Sequence, residues 1–155
     1  MRWLGPLAVA AVLVLDQLSK WAMIGLLAGR PDSIEVVPFF NLVMVWNRGV
    51  SFGLFNTGLS QPWIFVATAL VMVAALAVWL VRVSTQWIAV PLGLIIGGAL
   101  GNVLDRLRFG AVADFLDFHL GAAHWPAFNV ADSAITVGVG LLLLDSLFVR
   151  REGSK

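Results

Sequence analysis

Four aspartates stand between Asp105 and Asp132, in a stretch that reads DRLRFGAVADFLDFHLGAAHWPAFNVAD and has strongly apolar sequence on both sides. Ionisable groups beside lipid-facing segments are costly, which makes them functional candidates by default. Two carboxylates at one site can divide acid and base roles and hydrolyse a peptide bond without a metal. Asp132 is one candidate. Asp114, between Ala113 and Phe115, and Asp117, between Leu116 and Phe118, compete for the second place. An acid in such apolar company needs a partner or a raised pKa, and spacing alone leaves open which of the two faces Asp132.

Other polar residues fall in helical register. Asp16 and Lys20, four apart, share a helix face. They read both as a neutralising pair whose lysine snorkels to water and as the wall of a polar site. Gly93, Gly97 and Gly101 repeat every four residues and Asp105 continues the stripe, a spacing that lets another helix approach closely. Asn102, Asp105 and Arg106 fall at i, i+3 and i+4, a set suited to a polar head group or a peptide backbone. Asn129 reads as a helix cap, with Asp132 at the third helical position near the positive dipole end. The stripe Asp132, Thr136, Gly140 turns that carboxyl toward neighbouring helices. His119 and His124 make a poor metal spacing and there is no H-E-x-x-H, so no metal is expected. No G-x-S-x-G is present and both histidines share one loop, which disfavours a serine nucleophile. Asp145, five residues before Arg150, reads as interfacial.

The elements that must position these groups are membrane helices. The 155-residue chain is 60% hydrophobic and only 12% charged, against roughly 25% charged for a soluble domain. A formal charge of +1 without a clustered basic face argues against nucleic acid. The absence of cysteine removes disulfides, thiolate sites and cysteine nucleophiles. Hydropathy predicts one domain, all-α and integral to the membrane, with spans at about 3–27, 62–81, 86–104 and 129–149. Trp3 and Trp21 lie about 27 Å apart along a helix, and Trp63 and Trp79 bracket the second span likewise, as interfacial belts do. A cleaved leader in the first segment, suggested by Ala8-Val9-Ala10, is the lesser reading because the apolar run continues past it. The arginines and lysine at the termini and after the second span lean the topology toward cytoplasmic termini. The connections at about 28–61 and 105–128 would then face outward. The first of these, rich in Val and Phe and broken by Pro38 and Asn47-Arg48-Gly49, predicts short strands and a tight turn.

Five motifs in order carry a family resemblance: DQLSK at 16–20, NRGVSFG at 47–53, GGALGNVLDR at 97–106, VADF at 112–115 and FNVAD at 128–132. With these the chain resembles, over essentially its whole length, the lipoprotein signal peptidases (signal peptidase II), bacterial membrane aspartyl proteases of lipoprotein maturation. The resemblance implies a catalytic dyad of Asp114 and Asp132, which demotes Asp117. It implies that Asp16, Lys20, Asn47, Gly49, Asn102, Asp105, Arg106 and Asn129 shape the site or bind substrate. It implies a small strand-rich extracytoplasmic subdomain that clamps the substrate and a site at the outer leaflet of the bacterial inner membrane. The expected partners are membrane lipid and a diacylglyceryl prolipoprotein, cut just before its lipidated cysteine, with globomycin-type inhibitors and no cofactor. Two rival classes are a proton-coupled transporter using Asp16, Lys20 and Asp105 as a relay, and a structural membrane adaptor. A relay should spread its acids through the membrane depth, whereas these crowd at one end.

Overall fold

The computed structural model describes residues 3–29, 33–49 and 62–152. Its elements are α1 (Leu4–Leu27), β1 (Ile34–Val37), β2 (Phe40–Asn47), α2 (Pro62–Arg82), α3 (Gln86–Phe109), β3 (Val112–Leu120), β4 (Ala123–His124) and α4 (Val130–Glu152). All four helices are long and apolar enough to cross a membrane. Helices thus stand at the four expected spans; Trp21, Trp63 and Trp79 are exposed on them and Trp3 just before the first.

The structure refines two expectations. The all-α label understates the strand content, because the four strands form one antiparallel sheet in the order β1-β2-β3-β4. The helix that carries the third expected span continues past Leu104. Helix α3 runs to Phe109 and is closed by Gly110, whose φ of 70° lets its N–H reach the Arg106 carbonyl at 3.0 Å. Asp105 and Arg106 therefore stand on the same helix as Asn102, as their spacing predicted.

Helix α3 is the centre of the bundle, packed by α1, α2 and α4, and it supplies the core residues Leu92, Ile95, Ile96 and Val103. Its glycine stripe faces α1 as the spacing predicted. A Cβ on Gly97 would lie 2.8 Å from the Val9 carbonyl oxygen and 2.9 Å from Val12 Cβ. One turn on, a Cβ on Gly101 would collide with the Asp16 carboxylate itself. Gly101→Ala is therefore expected to push α1 from α3 and lower the thermal midpoint of the detergent-solubilised protein by several degrees. Gly140→Ala, whose Cβ would meet nothing within 4 Å, is the control that should leave it unchanged.

The stripe proposed for α4 holds at Asp132, whose carboxyl does turn to α3 and takes the Asn102 amide, but not beyond it. Thr136 is exposed and Gly140 half-buried, whereas Ala131, Ile135 and Gly138 face α3 at Gly98, Pro91 and Ile95. Asp132 lies beside this packed seam rather than within it.

Candidate active site

The sheet decides which aspartate on β3 meets α4. Side chains alternate along a strand, so Asp114 and Asp117, three apart, project to opposite faces. Pairing of β2 with β3 sets Val45 opposite Asp114 and Asn41 opposite Asp117, with a register irregularity between Leu42 and Val45. Asn47, at the end of β2, donates from Nδ2 to Asp114 Oδ2 at 3.0 Å. Its own Oδ1 accepts the Gly49 N–H at 2.8 Å, which fixes the amide's orientation. Gly49 has a φ of 94° and its Cα faces the Phe65 ring, so both the turn and the space require glycine. Residues 50–53 of the second motif lie outside the described residues.

Asn129 joins the two candidate carboxylates. Fully buried, it caps α4: its Oδ1 accepts the Asp132 N–H at 3.0 Å, and Asp132 Oδ2 accepts the Asn129 N–H at 3.3 Å. This is a reciprocal capping box. The Asn129 Nδ2 then donates to Asp114 Oδ1 at 2.6 Å. Asn102 on α3 donates to Asp132 Oδ1 at 2.8 Å. Capping and site formation are thus the same interactions, and the sequence could not separate them because one residue serves both.

Behind Asn102 lies a buried charge cluster. Lys20 Nζ sits 2.9 Å from Asp16 Oδ2, 2.9 Å from Asp105 Oδ2 and 3.0 Å from Asn102 Oδ1. It is only 2% exposed, so the expected snorkelling to water does not occur. Asp16 Oδ1 accepts the Ala131 N–H at 3.0 Å, satisfying an orphan amide in the first turn of α4. Asp105 Oδ2 accepts the Ala113 N–H at 3.1 Å and so pins the start of β3 one residue before Asp114.

Arg106 turns away from its neighbour Asp105, as adjacent helical residues must. It donates to the Asn102 carbonyl at 3.2 Å and lies over the Phe65 ring at 5.6 Å. Its buried Nε has no partner among the described residues. Of the resemblance-derived residues, Asp16, Lys20, Asn47, Gly49, Asn102, Asp105, Arg106 and Asn129 all belong to this one connected assembly.

Sequence reasoning passed over three residues. Gln17 donates to Asp16 and Asp105 at 3.1 Å each and accepts from Arg108 at 2.9 Å. An amide inside a charged motif of an apolar helix was the available signal. Phe65 and Asn41 carried no such signal, since their partners are set only by tertiary packing.

The electrostatics separate the two β3 acids. Burial pushes the Asp114 carboxyl up to about 6, against the Asn47 hydrogen bond, and the nearby Asp132 charge pushes the same way. Burial also acts to raise Asp117, but hydrogen bonds from His124 and Asn41 outweigh it and hold that carboxyl below the usual range. His124 Nδ1 lies 2.9 Å from Asp117 Oδ2, and the His119 and His124 rings stack at 4.8 Å. This group occupies the sheet face opposite Asp114. Among the described residues no three His, Asp or Glu side chains converge as metal ligands.

Four helices apolar enough to cross a membrane enclose a polar assembly at one end, an arrangement found among membrane enzymes. Two solved bacterial membrane enzymes, both obtained by the in meso method, share the fold. One, at 2.3 Å resolution, has a TM-score of 0.80 at 29% identity and covers 97% of this chain and 91% of its own. The other, at 1.9 Å, has a TM-score of 0.79 at 30% identity with 92% of each chain covered. The model for signal peptidase (SPase) II matches residues 8–148, and the chain belongs to that family. It is 49% identical to the lipoprotein signal peptidase of Methylorubrum extorquens (strain PA1) over 92% of this chain and 85% of that one. It is likewise 49% identical to that of Aeromonas hydrophila subsp. hydrophila, covering 94% and 87%.

Proposed function

We propose that this peptidase is an aspartyl endopeptidase that removes the signal peptide from diacylglyceryl-modified prolipoproteins, cutting before the lipidated cysteine. The reading assigns the site to the outer leaflet of the inner membrane, with both termini cytoplasmic. The observation that carries it is Asn129, one buried residue hydrogen-bonded to both Asp114 and Asp132. Support for the roles comes from their different surroundings. Asp132 sits at a helix N-terminus, receives Asn102 and Asn129 donors and has Arg106 nearby, so the base role is given to it. Asp114 lies on a strand, is buried, and has its carboxyl raised to about 6.

In this mechanism Asp132 takes a proton from water as the water oxygen attacks the scissile carbonyl carbon. Protonated Asp114 donates a hydrogen bond to the carbonyl oxygen and stabilises the charge that develops there. The proton on Asp132 then passes to the cysteine amide nitrogen, the C–N bond breaks, and the signal peptide leaves as a carboxylic acid. The lipid on the cysteine holds the scissile bond at the membrane boundary. Arg106 and the two asparagines orient it.

The test is cleavage of a purified precursor in detergent, read as a gel shift, with and without EDTA. Equal cleavage in EDTA and loss of cleavage when the cysteine lacks its diacylglyceryl group are the expected results. Loss in EDTA would overturn the metal-free mechanism, and equal cleavage of the unlipidated precursor would overturn the substrate assignment.

The pH dependence follows with its sign. The active form needs the proton on Asp114, so it is lost as pH rises through the raised value of about 6. The kcat/KM profile should fall on its alkaline side with a midpoint near 6, because that ratio reports the free enzyme. A profile flat from pH 5 to 8 would remove Asp114 as the acid.

A further inference from the structure

Helix α1 touches α4 beside the aspartates, where Asp16 accepts from Ala131. At the other end of the bundle α1 leans elsewhere, with Gly5 against Leu80 of α2 and Ala89 of α3. There a groove of about 470 Å³ remains between α3 and α4, lined by Gln86, Trp87, Val90, Pro91, Leu141, Leu144 and Asp145.

Its polarity is ordered by depth. Helix α3 starts at Gln86 and runs toward the aspartates, while α4 returns from them to Asp145. Gln86, Trp87 and Asp145 therefore form the outer rim, and Val90, Pro91 and Leu141 lie about one turn deeper. A polar rim over an apolar floor fits an amphiphile entering from the lipid. The rim chemistry narrows the headgroup. Asp145 supplies negative charge and calls for a cation, while the Gln86 amide and the Trp87 indole N–H call for acceptor oxygens.

We propose that this groove binds a phospholipid with a primary-amine headgroup. Its ammonium pairs with Asp145, its phosphate accepts from Gln86 and Trp87, and an acyl chain lies along Val90, Pro91, Leu141 and Leu144. An anionic lipid without the amine would place like charge against Asp145. The proposal is independent of the dyad chemistry, which sits at the opposite end of the same helices.

Native mass spectrometry of the full chain, delipidated in detergent, tests it with equimolar dioleoyl phosphatidylethanolamine and dioleoyl phosphatidylglycerol. The expected result is one bound amine lipid, favoured several-fold over the anionic one. Asp145→Asn should bring the two near parity, and Leu141→Trp, which fills the groove and leaves every charge in place, should reduce retention of both. Cleavage of a lipidated precursor by each variant reports folding and should stay near wild type. Parity in the wild type, or a preference that survives both substitutions, would overturn the proposal. So would a dimer mass replacing the lipid adduct, which would assign the groove to a second copy. If Asp145→Asn does not fold, the Leu141→Trp result decides.

Discussion

Asp114→Asn and Asp132→Asn are each expected to lower the rate of precursor cleavage by about 10²–10⁴-fold, the range spanned by loss of a positioned acid or base. The two substitutions act differently. At position 132 an amide has no basic oxygen for the water proton, and one end of the capping box changes from acceptor to donor. At position 114 the amide can still donate to a carbonyl oxygen, but it is a far weaker acid than a carboxyl and stabilises the developing charge less. Both variants keep size and helix content, so far-UV circular dichroism and gel filtration in detergent should match wild type. Asp117→Asn is the informative comparison. That carboxyl faces Asn41 and His124, and its loss should leave cleavage within a few-fold. Full activity in either dyad variant, or inactivity of Asp117→Asn with retained fold, would reverse the assignment of β3 faces.

The next largest effect is expected at Lys20, which touches no substrate in the proposed reaction. Lys20→Met leaves Asp16 and Asp105 facing each other with 0% and 1% of their surface exposed. Removing one member of a buried charge group costs about 3–5 kcal/mol, because the remaining charge stays uncompensated. For a chain of this size that corresponds to a fall in Tm of roughly 6–20 °C. Activity should fall as well, through Asn102. Lys20 holds Asn102 Oδ1 and thereby aims Nδ2 at Asp132; without the ammonium only the longer 3.4 Å bond from Asn129 Nδ2 opposes an amide flip that would set oxygen against the carboxylate. The double variant Lys20→Met with Asp16→Asn separates the two roles. It should recover part of the lost Tm, since one stranded charge is gone, but not the lost kcat. Recovery of both together would show that Lys20 acts through stability alone.

The sequence by itself determined the parts that follow from one-dimensional chemistry. Twenty-residue apolar runs can satisfy their backbone in lipid only as helices, so the four apolar helices were legible. Spacing of four placed Gly93, Gly97, Gly101 and Asp105 on one face of α3, and that face does meet α1. The Asn129–Asp132 cap was legible because its hydrogen bonds are local. Motif order carried the family, and with it the residues expected at the site.

Tertiary structure decided the rest, because the deciding partners are distant in the chain. The choice between Asp114 and Asp117 rests on the register of β3 against β2, about seventy residues apart. Periodicity gives alternation but not which face is turned inward. The burial of Asp105 was illegible for a related reason: hydropathy marks it only as a charge, while Lys20 and the Ala113 amide bury it. Lys20 itself looked like a snorkelling side chain until two carboxylates from two helices closed on it. A charge's cost in a low-dielectric interior depends on the partners that surround it, and only the fold brings those partners together.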